Sequence, residues 1–193
     1  MRYMGSKAKI AKYIIPELIK DRKENQYFIE PFVGGANLIC NIGGLRIGND
    51  KCQYIIALLK SIQSGWIPPD SICKNTYESI KQNKDNYPPE LVGFVGYGCS
   101  FGGKFFNGYI GTYGKRSYAG EASRSLTKQA KKIQNIEFIY GDYRELKIPD
   151  NSIIYCDPPY EETTEYRYKI DYDLFWEWCR SKSVDGHRVF ISS

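Results

Sequence analysis

Apolar positions along the chain fall into short runs separated by helical patterns, the alternation expected of an α/β domain built on a mostly parallel sheet. Residues 7–20, 52–62, 121–133 and 171–181 repeat apolar side chains at three- and four-residue intervals and predict helices. Compact apolar runs at 27–29, 45–47, 137–140, 152–156 and 188–191 predict strands. Ligands of such sheets bind beyond the carboxyl ends of the strands, so the residues just after these runs are where chemistry is expected.

One stretch breaks the alternation. Residues 93–120 hold nine glycines and eight aromatics in 28 positions, which predicts short strands and tight turns rather than one helix. A basic run follows, with Lys115, Arg116, Arg124, Lys128, Lys131 and Lys132. Rings stack on bases and cations pair with phosphates, which makes Tyr109, Tyr113, Lys115, Arg116 and Arg124 candidate nucleic-acid contacts; a self-packed aromatic loop is the alternative. The stretches WIPPD (66–70) and YPPE (87–90) read as turn or linker punctuation. The expected division is a catalytic domain of residues 1–62 and 121–193, with residues 63–120 inserted as a small recognition module.

Charge sharpens this picture. The net charge is +5, but residues 51–135 carry 12 basic and 5 acidic side chains, a surplus of +7, whereas residues 136–193 carry 7 and 12, a deficit of −5. A basic middle suits a polyanion, and a solvated lysine-rich face explains it equally. A length of 193 residues fits one domain with an insertion. A mean hydropathy of −0.48, with no apolar run near 18 residues, predicts no membrane-spanning helix and a cytoplasmic protein. The six cysteines form no CxxC pair, so neither a zinc site nor a disulfide scaffold is expected. The only histidine, His187, sits in Asp185-Gly186-His187-Arg188 and reads as a surface turn residue before a strand. Histidine-based triads and metal sites are therefore not expected, which leaves carboxylates, backbone groups, aromatics or a bound cofactor.

Four constellations stand at predicted strand ends. Glu30-Pro31-Phe32-Val33-Gly34-Gly35-Ala36-Asn37 contains a glycine pair that lets backbone N–H groups approach an anionic ligand, although a plain strand-to-helix connection looks the same. Asp50 follows Gly34 by 16 positions and suits ribose hydroxyls or a helix N-cap. Asp142, in Gly141-Asp142-Tyr143, is either a turn residue or an acceptor for an adenine amine. The most specific is Asp157-Pro158-Pro159-Tyr160. Two prolines fix a rigid loop in which the Asp157 carboxylate and the Pro158 carbonyl can grip the N–H groups of an exocyclic amine, while Tyr160 offers a face to an extruded base. Such an amine is a poor nucleophile because its lone pair is delocalised into the ring, and two acceptors favour the pyramidal nitrogen of the transition state.

Together these residues resemble the Dam-type DNA adenine-N6 methyltransferases over nearly the whole chain. Tyr3-Met4-Gly5-Ser6-Lys7 resembles the N-terminal cofactor motif, EPFVGGANL (30–38) the S-adenosyl-L-methionine motif, and Asp50 the ribose-binding acid. Gly141-Asp142-Tyr143 is similar to the adenine-contacting motif, Asp157-Pro158-Pro159-Tyr160 to the catalytic one, and Phe190-Ile191-Ser192-Ser193 to the strand motif beyond it. The resemblance implies a Rossmann-like methyltransferase sheet and direct methyl transfer, without a metal, to N6 of an adenine flipped out of double-stranded DNA. It implies that Tyr3, Lys7, Pro31, Phe32, Gly34, Gly35, Asp50, Asp142, Tyr143 and Asp157 line the cofactor, that Asp157, Pro158 and Tyr160 carry the chemistry, and that the glycine- and aromatic-rich stretch meets DNA.

Family members usually continue beyond the fifth strand, whereas this chain stops at Ser193. An exposed apolar sheet edge is therefore expected, covered by a second subunit or marking a shortened product. Two alternatives stay open at this point: an inactive cofactor- or DNA-binding remnant, and an RNA adenine methyltransferase. Asp157 weighs against the latter, since related RNA and glutamine enzymes often carry Asn at that position.

Overall fold

A computed structural model of the protein describes residues 1–114, 116–159 and 170–192. Its strands are β1 (Phe28–Glu30), β2 (Arg46–Asp50), β3 (Thr112–Tyr113), β4 (Arg116–Ser117), β5 (Ile136–Tyr140), β6 (Ile153–Cys156) and β7 (Arg188–Ile191). Five of them form one parallel sheet in the order β5-β2-β1-β6-β7, while β3 and β4 make a short antiparallel hairpin. From β1 the chain steps outward to β2 and β5, then returns to lay β6 on the other side of β1. The direction of winding reverses between β1 and β6, and a ligand crevice opens at such a switch point. Glu30 and Asp157 stand at the carboxyl ends of those two strands.

The helices are α1 (Ala11–Leu18), α2 (Gln53–Gln63), α3 (Lys74–Gln82), α4 (Pro89–Gly93), α5 (Tyr118–Ile133) and α6 (Tyr172–Val184). On α2, Tyr54, Ile55, Leu58, Leu59 and Ile62 are buried, the three- and four-residue spacing of a core-facing stripe. At Gly93 of α4, a β-carbon would lie 2.2 Å from the Tyr54 carbonyl oxygen, so the two helices meet backbone to backbone. On the other face of the sheet, Phe175 and Cys179 of α6 pack with Tyr143, Ile154 and Cys156.

Several expectations change. Strand β2 runs beyond the expected 45–47 through Gly48, Asn49 and Asp50, because pairing with Phe138, Ile139 and Tyr140 of β5 holds them extended. Gly48 permits the packing there, since a β-carbon would lie 2.8 Å from Val33 Cγ2. The helix expected over 7–20 divides into a tight turn at Lys7–Lys9 and α1. The sequence pattern predicts no element between 63 and 92, where α3 and most of α4 lie. The YPPE stretch is a helix start in which Pro89 occupies the first turn, where its missing N–H costs nothing. Residues Phe94–Gly98 then extend α4 as a wider helical turn, against the expectation of strands.

The aromatic stretch is mostly packed rather than displayed. Phe94, Tyr97 and Phe106 are buried and join Phe28, Val33 and Leu58 in the main hydrophobic cluster, with Phe105 and Tyr109 packed against it. Only Phe101 and Tyr113 among these eight rings are broadly exposed, Tyr113 at 83%. His187 is also buried rather than a surface turn residue, because its Nδ1 accepts the Ser152 backbone N–H at 3.1 Å. Strand β7 is an edge strand with half-buried residues, and among the described residues no strand pairs with its outer side. No described helix is long and apolar enough to cross a membrane.

Candidate active site

Beyond the carboxyl ends of β1, β2, β5 and β6 lies a cavity of about 610 Å³, a volume usual for small-molecule sites. It brings together Tyr3, Lys7, Pro31, Phe32, Gly34, Gly35, Asp50, Asp142, Tyr143 and Asp157, drawn from five separate segments of sequence.

The glycine turn shapes one wall. Gly34 has φ +46°, and a β-carbon on it would sit 2.6 Å from Tyr3 Cε1, so the Tyr3 ring lies directly on its backbone. Gly35 would likewise collide with Tyr3 Cβ at 2.9 Å. Tyr3 stacks obliquely on Tyr97, with ring centroids 5.1 Å apart, and Tyr97 meets Phe105 at 5.0 Å. From the same N-terminal segment, Lys7 Nζ donates to Asp157 Oδ1 at 2.6 Å. Burial pushes the Asp157 carboxyl up from the ordinary carboxylate range, with Lys7 and the Ser192 hydroxyl pulling it back down.

Asp50 is held between two elements. The N–H of Gly34 donates to its Oδ2 at 2.9 Å and the N–H of Cys52 to its Oδ1 at 2.8 Å. The helix N-cap is Cys52, and Asp50 stands two residues before it. Burial raises the Asp50 carboxyl to about 6, against the two backbone donors. Two of the roughly four acceptor positions on this carboxylate remain for a ligand hydroxyl. Asp142, on the neighbouring strand end, binds both nitrogens Nε and Nη2 of Arg144 at 2.9 Å and Lys51 Nζ at 3.0 Å. These cations hold its carboxyl well below the usual range.

Further lining residues are given no individual role by the motifs, and Asn49 lies outside them. Glu30 and Asn49 are 4% and 1% exposed, and both line the cavity. Glu30 Oε1, Asn37 Nδ2 and Asn49 Oδ1 are buried with no hydrogen-bond partner among the described residues, and all three side chains belong to the cavity wall. Buried polar atoms are normally paired. Two acceptors and a donor left open around one cavity suit a polar ligand such as S-adenosylmethionine. Burial and the nearby Asp157 raise the Glu30 carboxyl well above its ordinary value. The aromatic stretch contributes Tyr97, Gly103, Lys104, Phe105 and Asn107 to the same wall, a role that no periodicity announces.

Not every expected residue reaches this cavity. Pro158 is buried, and Pro159 lines the wall in its place. Tyr160 and Lys115 lie outside the described residues, as does Ser193. Phe32 and Tyr143 face one another at 5.0 Å and pack with Phe175 beneath the cavity. Of the nucleic-acid candidates, Tyr109 is half-buried and donates its hydroxyl to the Ile72 carbonyl at 2.5 Å. Arg116 forms a two-pronged pair with Glu121 at 2.6 and 3.0 Å. Tyr113, on the β3–β4 hairpin, and Arg124, on α5, are exposed.

The comparisons with known proteins agree with this arrangement. The type II methyltransferase M.FokI of Planomicrobium okeanokoites is 25% identical over 210 aligned positions, an alignment that covers 95% of this chain and 32% of that protein. The chain thus spans about a third of the length of this relative. The family described as D12 class N6 adenine-specific DNA methyltransferase matches residues 3–94 and 100–180, a span that takes in the Tyr3–Lys7 segment, the glycine turn, Asp50, Asp142 and Asp157. With its strand-end residues gathered around one cavity and most of its length matched, the chain belongs to the D12 class of N6 adenine-specific DNA methyltransferases.

Proposed function

We propose that this chain transfers a methyl group from S-adenosylmethionine to N6 of adenine in double-stranded DNA, acting directly on a flipped-out base. The observation that carries the reading is the meeting of Asp157 with Gly34 and Asp50 in one cavity, at the point where the sheet reverses its winding. Bound there, S-adenosylmethionine supplies an electrophilic methyl group on a sulfonium. Gly34 and Gly35 let the backbone approach it, and Asp50 accepts from the ribose hydroxyls through its two free acceptor positions. Asp157 accepts an N–H of the target amine, which withdraws the nitrogen lone pair from the ring and directs it outward. Lys7 supplies the positive charge that favours the ionised, accepting form of Asp157.

DNA engages the face that carries the β3–β4 hairpin and the start of α5. Tyr113 offers an exposed ring and Arg124 an exposed cation, and Lys115 adds a further basic residue in the sequence between them. Tyr109, just before the hairpin in the chain, is tied to the Ile72 carbonyl.

Incubation with labelled S-adenosylmethionine and duplex DNA tests the reading, with Asp157→Ala as the control. Label in N6-methyladenine with the parent and none with the variant is expected, while calorimetric cofactor binding persists in both. Cofactor binding with no transfer by the parent identifies a binding remnant and refutes the proposal. Label in RNA but not in duplex DNA refutes the choice of substrate.

A further inference from the structure

Asp142 stands at the adenine end of the proposed cofactor site, but its carboxylate is already full. An ionised carboxylate offers about four acceptor positions. Here Oδ1 takes the backbone N–H and Nε of Arg144 at 3.1 and 2.9 Å, while Oδ2 takes Arg144 Nη2 at 2.9 Å and Lys51 Nζ at 3.0 Å. An adenine amine can bind this carboxylate only by displacing one of these donors.

The two cations are not equally held. Arg144 grips Asp142 from two positions along the chain with two side-chain bonds, and its own N–H adds a third. Lys51 reaches across 91 positions with one bond, from a side chain that is 55% exposed. A single exposed ion pair is weak and easily exchanged. Lys51 directly follows Asp50, the proposed ribose acceptor, so its ammonium sits where a base attached to that ribose would arrive.

We propose that Lys51 is a specificity-determining residue: it occupies the Asp142 acceptor needed by the adenine amine, must yield it on binding, and favours bases that carry a carbonyl at that position. The inference rests on the cofactor reading above and extends it to a residue outside the recognised motifs. Adenine presents a donor there and competes with Lys51 for Oδ2. Hypoxanthine presents a carbonyl oxygen, which accepts from the Lys51 ammonium while Asp142 stays paired. Arg144 has the opposite role, because it fixes the carboxylate in position.

Calorimetric titration with S-adenosylhomocysteine and S-inosylhomocysteine tests this without any turnover. Lys51→Met keeps the side-chain stem and removes the donor. It is expected to tighten the adenosyl ligand by up to about fivefold, the value of one exposed ion pair, and to weaken the inosyl ligand. Lys51→Ala should reproduce the direction of both changes, and Arg144→Met should weaken the adenosyl ligand. Equal changes for the two ligands, or none, would overturn the role of Lys51 while leaving the cofactor reading intact. Failure of the parent to bind either ligand would overturn that reading, and the inference with it.

Discussion

Lys7 Nζ lies 2.6 Å from Asp157 Oδ1, although 150 positions separate the two residues in the chain. Both side chains are largely enclosed, at 14% and 21% exposure, so solvent screens the pair only in part. The N-terminal segment thereby sets the charge state of the proposed catalytic carboxylate, and this has a consequence in pH. Burial already raises the Asp157 carboxyl and Lys7 opposes it. Lys7→Met removes the opposing charge, so the Asp157 titration moves further up. Methyl transfer needs the ionised form, and the acid limb of its pH–rate profile should move to higher pH. An acid limb that stays in place in the variant would mean that Lys7 does not act through Asp157.

Asp50 predicts a second pH effect, read in binding. Its carboxyl is raised to about 6 by burial, and ribose hydroxyls donate to the ionised form. Below pH 6 the protonated carboxyl must lose its proton before a cofactor can use it. Affinity for S-adenosylhomocysteine should therefore be constant above about pH 7 and fall by up to about tenfold per unit below pH 6. Calorimetry at pH 5 and pH 8 measures the difference, and Asp50→Asn should be weaker at both values and lack the slope.

The parts of the site carried by compact motifs were legible in the order of residues. Glu30 to Asn37, Asp50, Gly141 to Tyr143 and Asp157 each follow an apolar run, and the sheet places all four around one cavity. Contacts between distant segments were not legible. Nothing in the spacing of Lys7 and Asp157, or of Lys51 and Asp142, marks them as partners, because a charged pair across 150 or 91 positions leaves no period. The aromatic stretch misleads for a related reason. Rings interleaved with glycines suit both exposed stacking and close packing, and tertiary context decided for packing at Phe94, Tyr97 and Phe106. Helix α3 buries only Tyr77 and Ile80, a stripe too short to announce itself in a polar segment.

The glycine turn can be tested by placing the same substitution in two settings. Gly34 and Gly114 both have left-handed backbone, at φ +46° and φ +59°. A β-carbon at Gly114 meets nothing within 4 Å, whereas at Gly34 it strikes the Tyr3 ring at 2.6 Å. Gly114→Ala should lower stability by about 1 kcal/mol through backbone strain alone and leave cofactor affinity unchanged. Gly34→Ala carries the same strain and also displaces Tyr3 from the wall. Its cofactor dissociation constant should rise about tenfold or more, the effect of roughly 1.4 kcal/mol lost at the site. Thermal melting and calorimetry of the two variants separate these contributions, and equal cofactor affinities would show that Tyr3 does not depend on the turn.

Arg116 and Arg124 lie on the same face but differ in how much charge they offer to DNA. Arg116 spends its guanidinium on Glu121 at 2.6 and 3.0 Å, and its Cζ also lies 4.7 Å from the Tyr118 ring centroid. A phosphate that engages Arg116 must first break this pair, and the gain is small because one anion replaces another. Each phosphate neutralised by a protein cation contributes about 0.9 to the slope of log K against log salt concentration. Arg124→Ala should therefore reduce the slope by about 0.9, measured by fluorescence anisotropy on a labelled duplex from low to moderate salt. Arg116→Ala should reduce it by clearly less, while Glu121→Gln, which releases Arg116 for phosphate, should steepen it. A larger loss of slope for Arg116→Ala than for Arg124→Ala would reverse the assignment and make the hairpin, rather than the start of α5, the main phosphate contact.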